Sequence, residues 1–322
     1  MSGKEASLTL TITSIDDLMR CINLASLLEL AGWPKPGNVH RTKNFEDTRF
    51  EHFLSGIAAI QPNFRKFCES IFEVSEKENY NSIEMGFFFR EAVEQMIKWQ
   101  SGGNVLLGHI LILAPLTAAV TLCLKFNVNK LSNFKYYLNK IIEETTVSDT
   151  INLYEAIRMC NPGGLGKINK YDVNNKNALN DIRKDEINLK KIFELSKDYD
   201  LISSEYSTGF NIVLNEGLPY LLQVYNDFKD PNIAIVNTFL KILSDHPDSL
   251  IARKLGIKSA NLVSEFAHNI LLEGGISSQK GLELTIELDR KLHEKKGKLN
   301  PGTTADLIAG ILFCALSFGL RI

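Results

Sequence analysis

Several features that would classify a chain of this length at once are missing. Lysine and arginine number 36 against 38 aspartate and glutamate, a formal net charge of -2. No overall positive field therefore exists to hold nucleic acid or an anionic membrane, and any phosphate binding has to be local. The five cysteines (Cys21, Cys68, Cys123, Cys160, Cys314) are odd in number and never spaced CxxC. That pattern argues against a disulfide framework and predicts reduced thiols in a cytoplasmic protein. The histidines include no HxxxH pair of the kind that binds zinc. The opening MSGKEASLTLTITS has no apolar run of signal-peptide length, so secretion is not expected, and residues 1–13 are expected as an N-terminal arm. Strand-like alternation, Ser/Gly/Pro-rich linkers and internal repeats are also absent.

What the chain does have is apolar residues at helical spacing. Ile15, Leu18, Met19, Ile22 and Ala25 form one such face; Ile235, Val236, Phe239, Leu240 and Leu243 form another; Leu262, Val263, Phe266, Ala267 and Ile270 a third. The expected fold class is all-α, a single large multi-helix domain with its helical core over 14–322. Helices are expected near 15–31, 48–60, 62–77, 82–99, 104–126, 130–142, 149–160, 176–197, 210–227, 231–245, 258–272, 279–296 and 304–320. Residues 105–126 and 307–320 are long apolar runs. The first is broken by Gly108, His109 and Pro115, and both read as core helices rather than membrane spans.

Four irregular segments rich in Gly, Pro, Asn and charge separate these helices: 33–47, 100–104, 161–175 and 298–306. Small residues beside a helix start let unpaired backbone N–H groups approach an anion, so together the segments predict a nucleotide site built from inter-helix loops. In the first, Lys35, Gly37, Asn38, His40 and Arg41 lie in a proline-stiffened stretch suited to triphosphate oxygens, although a solvated turn has the same composition. In the second, Gly102 and Gly103 offer backbone donors, and Asn104 either caps the next helix or touches a ligand. His109, inside the apolar helix, reads as a core histidine and is left out of the site. The third segment, Asn161-Pro-Gly-Gly-Leu-Gly166, lacks the preceding strand and the Lys-Ser/Thr of a P-loop, and Asp172 follows it as a metal ligand or a turn residue. In the fourth, Asn300, Gly302, Thr303, Thr304 and Asp306 match a helix capping box and equally an anion or metal seat.

Taken in order, five segments resemble the triphosphoribosyl-dephospho-CoA synthase family. Glu29 with Pro34-Lys35-Pro36-Gly37 is similar to its E…PKPG, and Ser101-Gly102-Gly103-Asn104 with Gly108 to its TGGxNTHKG. Glu205 to Phe210 followed by Gly217-Leu218-Pro219 is similar to GEAxxGF…GLP, and Asp248, Arg253 and Gly256 to D…RxG. Asp289 with Asn300-Pro-Gly-Thr-Thr-Ala-Asp-Leu307 is similar to D…SPGGSADL. The resemblance implies an all-helical pentosyltransferase that joins the triphosphoribosyl part of ATP to the ribose 2′-hydroxyl of 3′-dephospho-CoA and releases adenine.

Within that reading, Glu205 is expected as the base with Asp47 as a second catalytic carboxylate. Asp47, Asp172 and Asp306 are the expected Mg²⁺ ligands, and Lys35, Arg41 and Arg253 the triphosphate cations. Partners are ATP and 3′-dephospho-CoA or another hydroxyl acceptor. Nucleic acid and membrane are not expected, and a homo-oligomer is compatible with the sequence. The chain departs from the family at Val105-Leu106-Leu107, which stand where the family has His-Lys, and at Leu201-Ile-Ser-Ser204. With those cations gone, His40, Arg41 or Lys167 would have to substitute, or the acceptor has changed. Transfer to a different hydroxyl or to water, and a helical nucleotide sensor without turnover, are the competing readings.

Overall fold

The computed structural model describes residues 8–73, 79–161 and 170–322. The chain is 72% helical, with fifteen α-helices and no strand among the described residues. In order they are α1 (Ile15–Ala31), α2 (Phe50–Glu73), α3 (Met85–Lys98), α4 (Leu107–Lys125), α5 (Leu131–Glu143), α6 (Val147–Cys160), α7 (Ala178–Lys184), α8 (Leu189–Glu194), α9 (Leu201–Thr208), α10 (Leu218–Phe228), α11 (Pro231–Asp245), α12 (Ser249–Leu255), α13 (Ile257–Leu272), α14 (Gln279–His293) and α15 (Gly302–Ser317).

The two apolar runs form the centre. α4 and α15 pack on each other and are wrapped by α1, α2, α3, α5, α10 and α11. Their close approach depends on Gly310, where a methyl group would come within 2.6 Å of Ile112 Cγ2. α4 has the length and composition of a membrane span, but 89% of its apolar window is buried inside the fold. A helix apolar on every side fits such a centre, because every side meets another helix. The core is continuous from Leu10 to Leu320, and Leu10 and Ile12 of the N-terminal arm are part of it.

Local chemistry explains most helix starts. Ser14 accepts the Asp17 N–H at α1, Thr146 and Asp149 form a capping box at α6, and Asp230 caps α11 with Pro231 in its first turn. Each such cap contributes about 1 kcal/mol. The break expected between 60 and 62 does not occur, and α2 runs through Pro62. The proline sits on the exposed side while Ile57, Ile60, Phe64, Phe67 and Ile71 continue one buried stripe. Burying Phe64 and Phe67, at about 1.5–3 kcal/mol each, outweighs the roughly 3 kcal/mol cost of a helical proline. The helix expected over 176–197 divides into α7 and α8, because Glu186 takes a left-handed conformation and Asn188 starts α8 afresh. Two short helices were not expected, α9 and α12, and each begins at an aspartate cap, Asp200 and Asp248.

Candidate active site

A cavity of about 670 Å³ opens between the 33–49 loop, the start of α4, α6, α8, α9, α12 and the start of α15. All four irregular segments reach it, through Asn38, Phe45 and Asp47, through Gly102 to Asn104, through Asn161 and Tyr171 to Val173, and through Asn300, Gly302, Thr303, Ala305 and Asp306. Residues 162–169 of the third segment, with its glycines and Lys167, lie outside the described residues.

At the floor of the cavity is a line of buried charge. Lys35 is fully buried, and its ammonium donates to the Glu29 main-chain oxygen at 2.8 Å and pairs with Glu29 Oε1. Glu29 Oε2 lies 3.3 Å from His109 Nε2, and His109 Nδ1 lies 2.7 Å from Asp306 Oδ1. The order along the line is cation, anion, cation, anion. Burial alone would lower the pKa of His109, but the hydrogen bond to Asp306 and the nearby Glu29 raise it to about 9. Burial likewise opposes the charge on Glu29, yet Lys35 and His109 hold its carboxyl below the ordinary range. Asp306 is raised by burial, with His109 acting against the rise. Its Oδ2 accepts no hydrogen bond from the described residues and lies against Gly108, where a methyl group would come within 1.8 Å of it. Both residues line the cavity.

Two further aspartates hold the walls in place. Asp248 is buried and caps α12 by accepting the Leu250 and Ile251 N–H groups, while its other oxygen accepts the Thr304 N–H and hydroxyl. One carboxylate thus fixes the starts of α12 and α15 together, which places Arg253 and Asp306 on the same cavity. Asp289 of α14 accepts the Gly37 N–H at 2.9 Å and contacts His40 and His293. Burial works against its ionisation, but the two histidines keep it well below the usual carboxylate range. Gly37 is left-handed, and a methyl group there would strike Leu292 at 2.8 Å, so the loop requires glycine.

The rim carries Arg253, Lys254 and Lys296. Arg253 Nε and Asn300 Oδ1 are buried with no hydrogen-bond partner among the described residues. Such atoms are costly unless a ligand satisfies them. Asn104 Oδ1 accepts the Leu107 N–H at 3.1 Å and so caps the start of α4. The N–H groups of Gly103 and Asn104 donate to no described residue, while that of Gly102 is taken by Gln100. These two donors are exposed, four and three residues ahead of α4, and are free to meet an anion.

Several expected roles need correction. Lys35 cannot reach a triphosphate, because Glu29 consumes it in a buried pair. Gly37 and His40 are tied to Asp289, Thr304 to Asp248, and Arg41 is exposed beside Trp33; none of these lines the cavity. Glu205 is fully buried away from the cavity, its two oxygens accepting the Ile212 and Val213 N–H groups at 2.8 and 2.9 Å. Burial pushes it up to about 7 against those two bonds, and it serves the π-helical turn Ile212–Gly217 rather than a substrate. Thr303 and Asp306 do not form a capping box: Thr303 accepts from the Ser249 hydroxyl and Asp306 turns to His109. Asn38, Asp47, Gly102, Gly103, Asn104, Asp172, Arg253, Asn300, Gly302, Thr303 and Asp306 do line the cavity. Asp47, Asp172 and Asp306 nonetheless make no cage, since no group of three metal-binding side chains comes together among the described residues. Asp172 Oδ1 accepts the Asn174 N–H, and Asp306 Oδ1 is engaged by His109. His109 was missed. The available signal was a titratable residue directly after Gly108 in an otherwise apolar helix, which a buried partner has to neutralise.

The CitG family, described as ATP:dephospho-CoA triphosphoribosyl transferase, matches residues 15–320. A crystal structure from Archaeoglobus fulgidus, provisionally named a triphosphoribosyl-dephospho-CoA synthase, superposes with a TM-score of 0.61 at 24% identity, covering 83% of this chain and 100% of that one. The match extends from the first helix to the last, across every wall of the cavity, and the chain belongs to the ATP:dephospho-CoA triphosphoribosyl transferase family.

Proposed function

We propose that the cavity takes ATP as its Mg²⁺ complex, with the triphosphate at Arg253, Lys254 and the free Gly103 and Asn104 N–H groups, and that Asp306 is its catalytic carboxylate. The observation that carries this is Asp306 itself, a cavity-lining carboxylate whose Oδ2 accepts no hydrogen bond from the described residues, in a cavity also lined by Arg253, Lys254 and Lys296. The C1′–N9 bond of ATP breaks with its electron pair leaving on adenine. The carboxylate offsets the positive charge that develops at C1′, the acceptor hydroxyl oxygen bonds to C1′, and its proton passes to Oδ2 and on to the departing adenine. Magnesium belongs here with the substrate, because Mg²⁺ is commonly held by one or two carboxylates plus phosphate oxygens. Among the described residues no three metal-binding side chains come together to hold a resident ion. All five cysteines are free and buried, which supports a reducing, cytoplasmic setting.

The family acceptor, 3′-dephospho-CoA, is the first reading. A second is favoured by the wall where the family has His-Lys. Val105 and Leu107 are buried apolar residues lining the cavity, continuous with Leu153, Ile157, Phe193 and Ile202. That surface supports a different, less charged hydroxyl acceptor. The experiment is incubation with ATP and Mg²⁺, with and without 3′-dephospho-CoA, following free adenine and product mass. Adenine with the coupled mass supports the first reading, adenine without it the second, and ATP binding without adenine removes both.

A further inference from the structure

We infer that His109 is a positioning residue for the transfer: its ring bridges Glu29 and Asp306 and turns Asp306 Oδ2 toward the reacting carbon. The inference rests on the reading of Asp306 as the catalytic carboxylate. His109 itself touches no substrate atom in this scheme and passes no proton to one.

Three observations carry it. First, the bond between His109 Nδ1 and Asp306 Oδ1, at 2.7 Å, occupies one carboxylate oxygen and leaves the other against Gly108 in the cavity wall. A carboxylate at the start of a helix normally turns back to cap it, and Thr303-x-x-Asp306 has the sequence to do so. Here the first turn of α15 is capped by Asp248 instead, through the Thr304 N–H, so Asp306 is released for His109. Second, His109 is buried, with 2% of its surface exposed, and its other nitrogen is 3.3 Å from Glu29 Oε2 but not aligned as a hydrogen bond. The ring is therefore held by charge on that side and by a directed bond on the Asp306 side. Third, Glu29 is itself fixed by Lys35, which bonds both its carboxylate and its main-chain oxygen at the end of α1. Lys35, Glu29 and His109 thus link the 33–49 loop, α1 and α4 to a single oxygen of Asp306. Charge alternates along the line, so each member is compensated on burial.

The test uses the full-length protein with Mg²⁺ and ATP and the acceptor that gives adenine release. His109→Leu removes the directed bond and should lower kcat by about 100-fold, the usual scale for a misplacement near 1 Å, with KM for ATP within about threefold. His109→Asn keeps an N–H donor near the Nδ1 position and should recover most of that loss. If His109 acts through Asp306, adding Asp306→Asn to His109→Leu costs little beyond Asp306→Asn alone, because residues acting as a unit are not additive. A fully additive pair, or a His109→Leu enzyme with parental kcat, overturns the inference while leaving the transferase reading intact. Should His109→Leu not fold, His109→Gln, whose amide reaches the Nε2 position and not the Nδ1 one, takes its place: a kcat loss that is absent on the Asp306→Asn background supports the inference, and a parental kcat or a fully additive loss overturns it. Wild-type protein that binds ATP and releases no adenine removes the transferase reading and this inference with it.

Discussion

Gly108→Ala isolates the position of Asp306 from its chemistry. The added methyl group would sit 1.8 Å from Asp306 Oδ2, whereas ordinary contact begins near 3.4 Å. The carboxylate therefore has to retreat by about 1.6 Å, and it cannot do so by itself, because Oδ1 is bonded to His109 and the α15 start is fixed by Asp248. Two effects on stability oppose one another. Alanine favours a helix over glycine by about 1 kcal/mol, while overpacking a buried wall costs about 1–3 kcal/mol. The net change is a loss of about 0–2 kcal/mol, which for a chain of this size leaves the protein folded. The rate has no such compensation. A displacement above 1 Å at a reacting group costs on the order of 100-fold, so kcat for adenine release should fall by that factor or more while ATP still stabilises the protein against heat. The assay pairs adenine release with a thermal shift on added ATP. A folded Gly108→Ala protein with kcat within about threefold of the parent would refute the placement of Asp306 at the reacting carbon.

The other sites separate binding, support and charge. Arg253→Ala should raise KM for ATP by about 10- to 100-fold, the scale of one charge-assisted bond to phosphate, and an unchanged KM in steady-state assays removes Arg253 from the triphosphate seat. Glu205→Gln places an amide NH₂ against one of the two N–H groups at Ile212 and Val213, so the unfolding free energy should fall by about 1–3 kcal/mol with kcat nearly unchanged. A large kcat loss at parental stability restores Glu205 as the base. For His109, the folded pKa of about 9 lies above an unfolded value near 6.5, so its stabilisation of about 3 kcal/mol is full below pH ~6.5 and is lost as pH rises through about 9. Melting temperatures from pH 6 to 10 should show that decline, and His109→Asn should flatten it; the same decline in both proteins excludes His109 as its source.

The fold class was legible because helical spacing is local, and α4 and α15 declared themselves by being apolar on every side. Boundaries failed where a distant contact overrode a local rule, as at Pro62, whose missing bond faces water while the buried stripe of α2 continues beneath it. The cavity was legible in outline, since all four glycine- and asparagine-rich segments meet there. Individual roles were less so. A lysine between two prolines looks like a phosphate ligand until Glu29, six residues earlier and across a helix end, takes its charge. Glu205 has the residue type of a base, and nothing in its neighbours along the chain shows that a π-helical turn will present two unpaired N–H groups to it.

Among the motif acids, Asp248 binds a backbone N–H in the first turn of α15, 56 residues away, and Asp289 one in the 33–49 loop, 252 residues away, while Glu29 and Glu205 are held in pairs and bonds inside the fold. Where irregular segments meet helix starts to form a cavity, carboxylates that tie one to the other hold the walls in place. Asp306 lines the cavity and has an oxygen, Oδ2, with neither a hydrogen bond nor an ion pair among the described residues. The ordered motifs therefore mark mainly residues that build the walls, and the proposed chemistry draws on the groups left without a partner among the described residues: Asp306 Oδ2, Arg253 Nε, Asn300 Oδ1 and the Gly103 and Asn104 N–H groups.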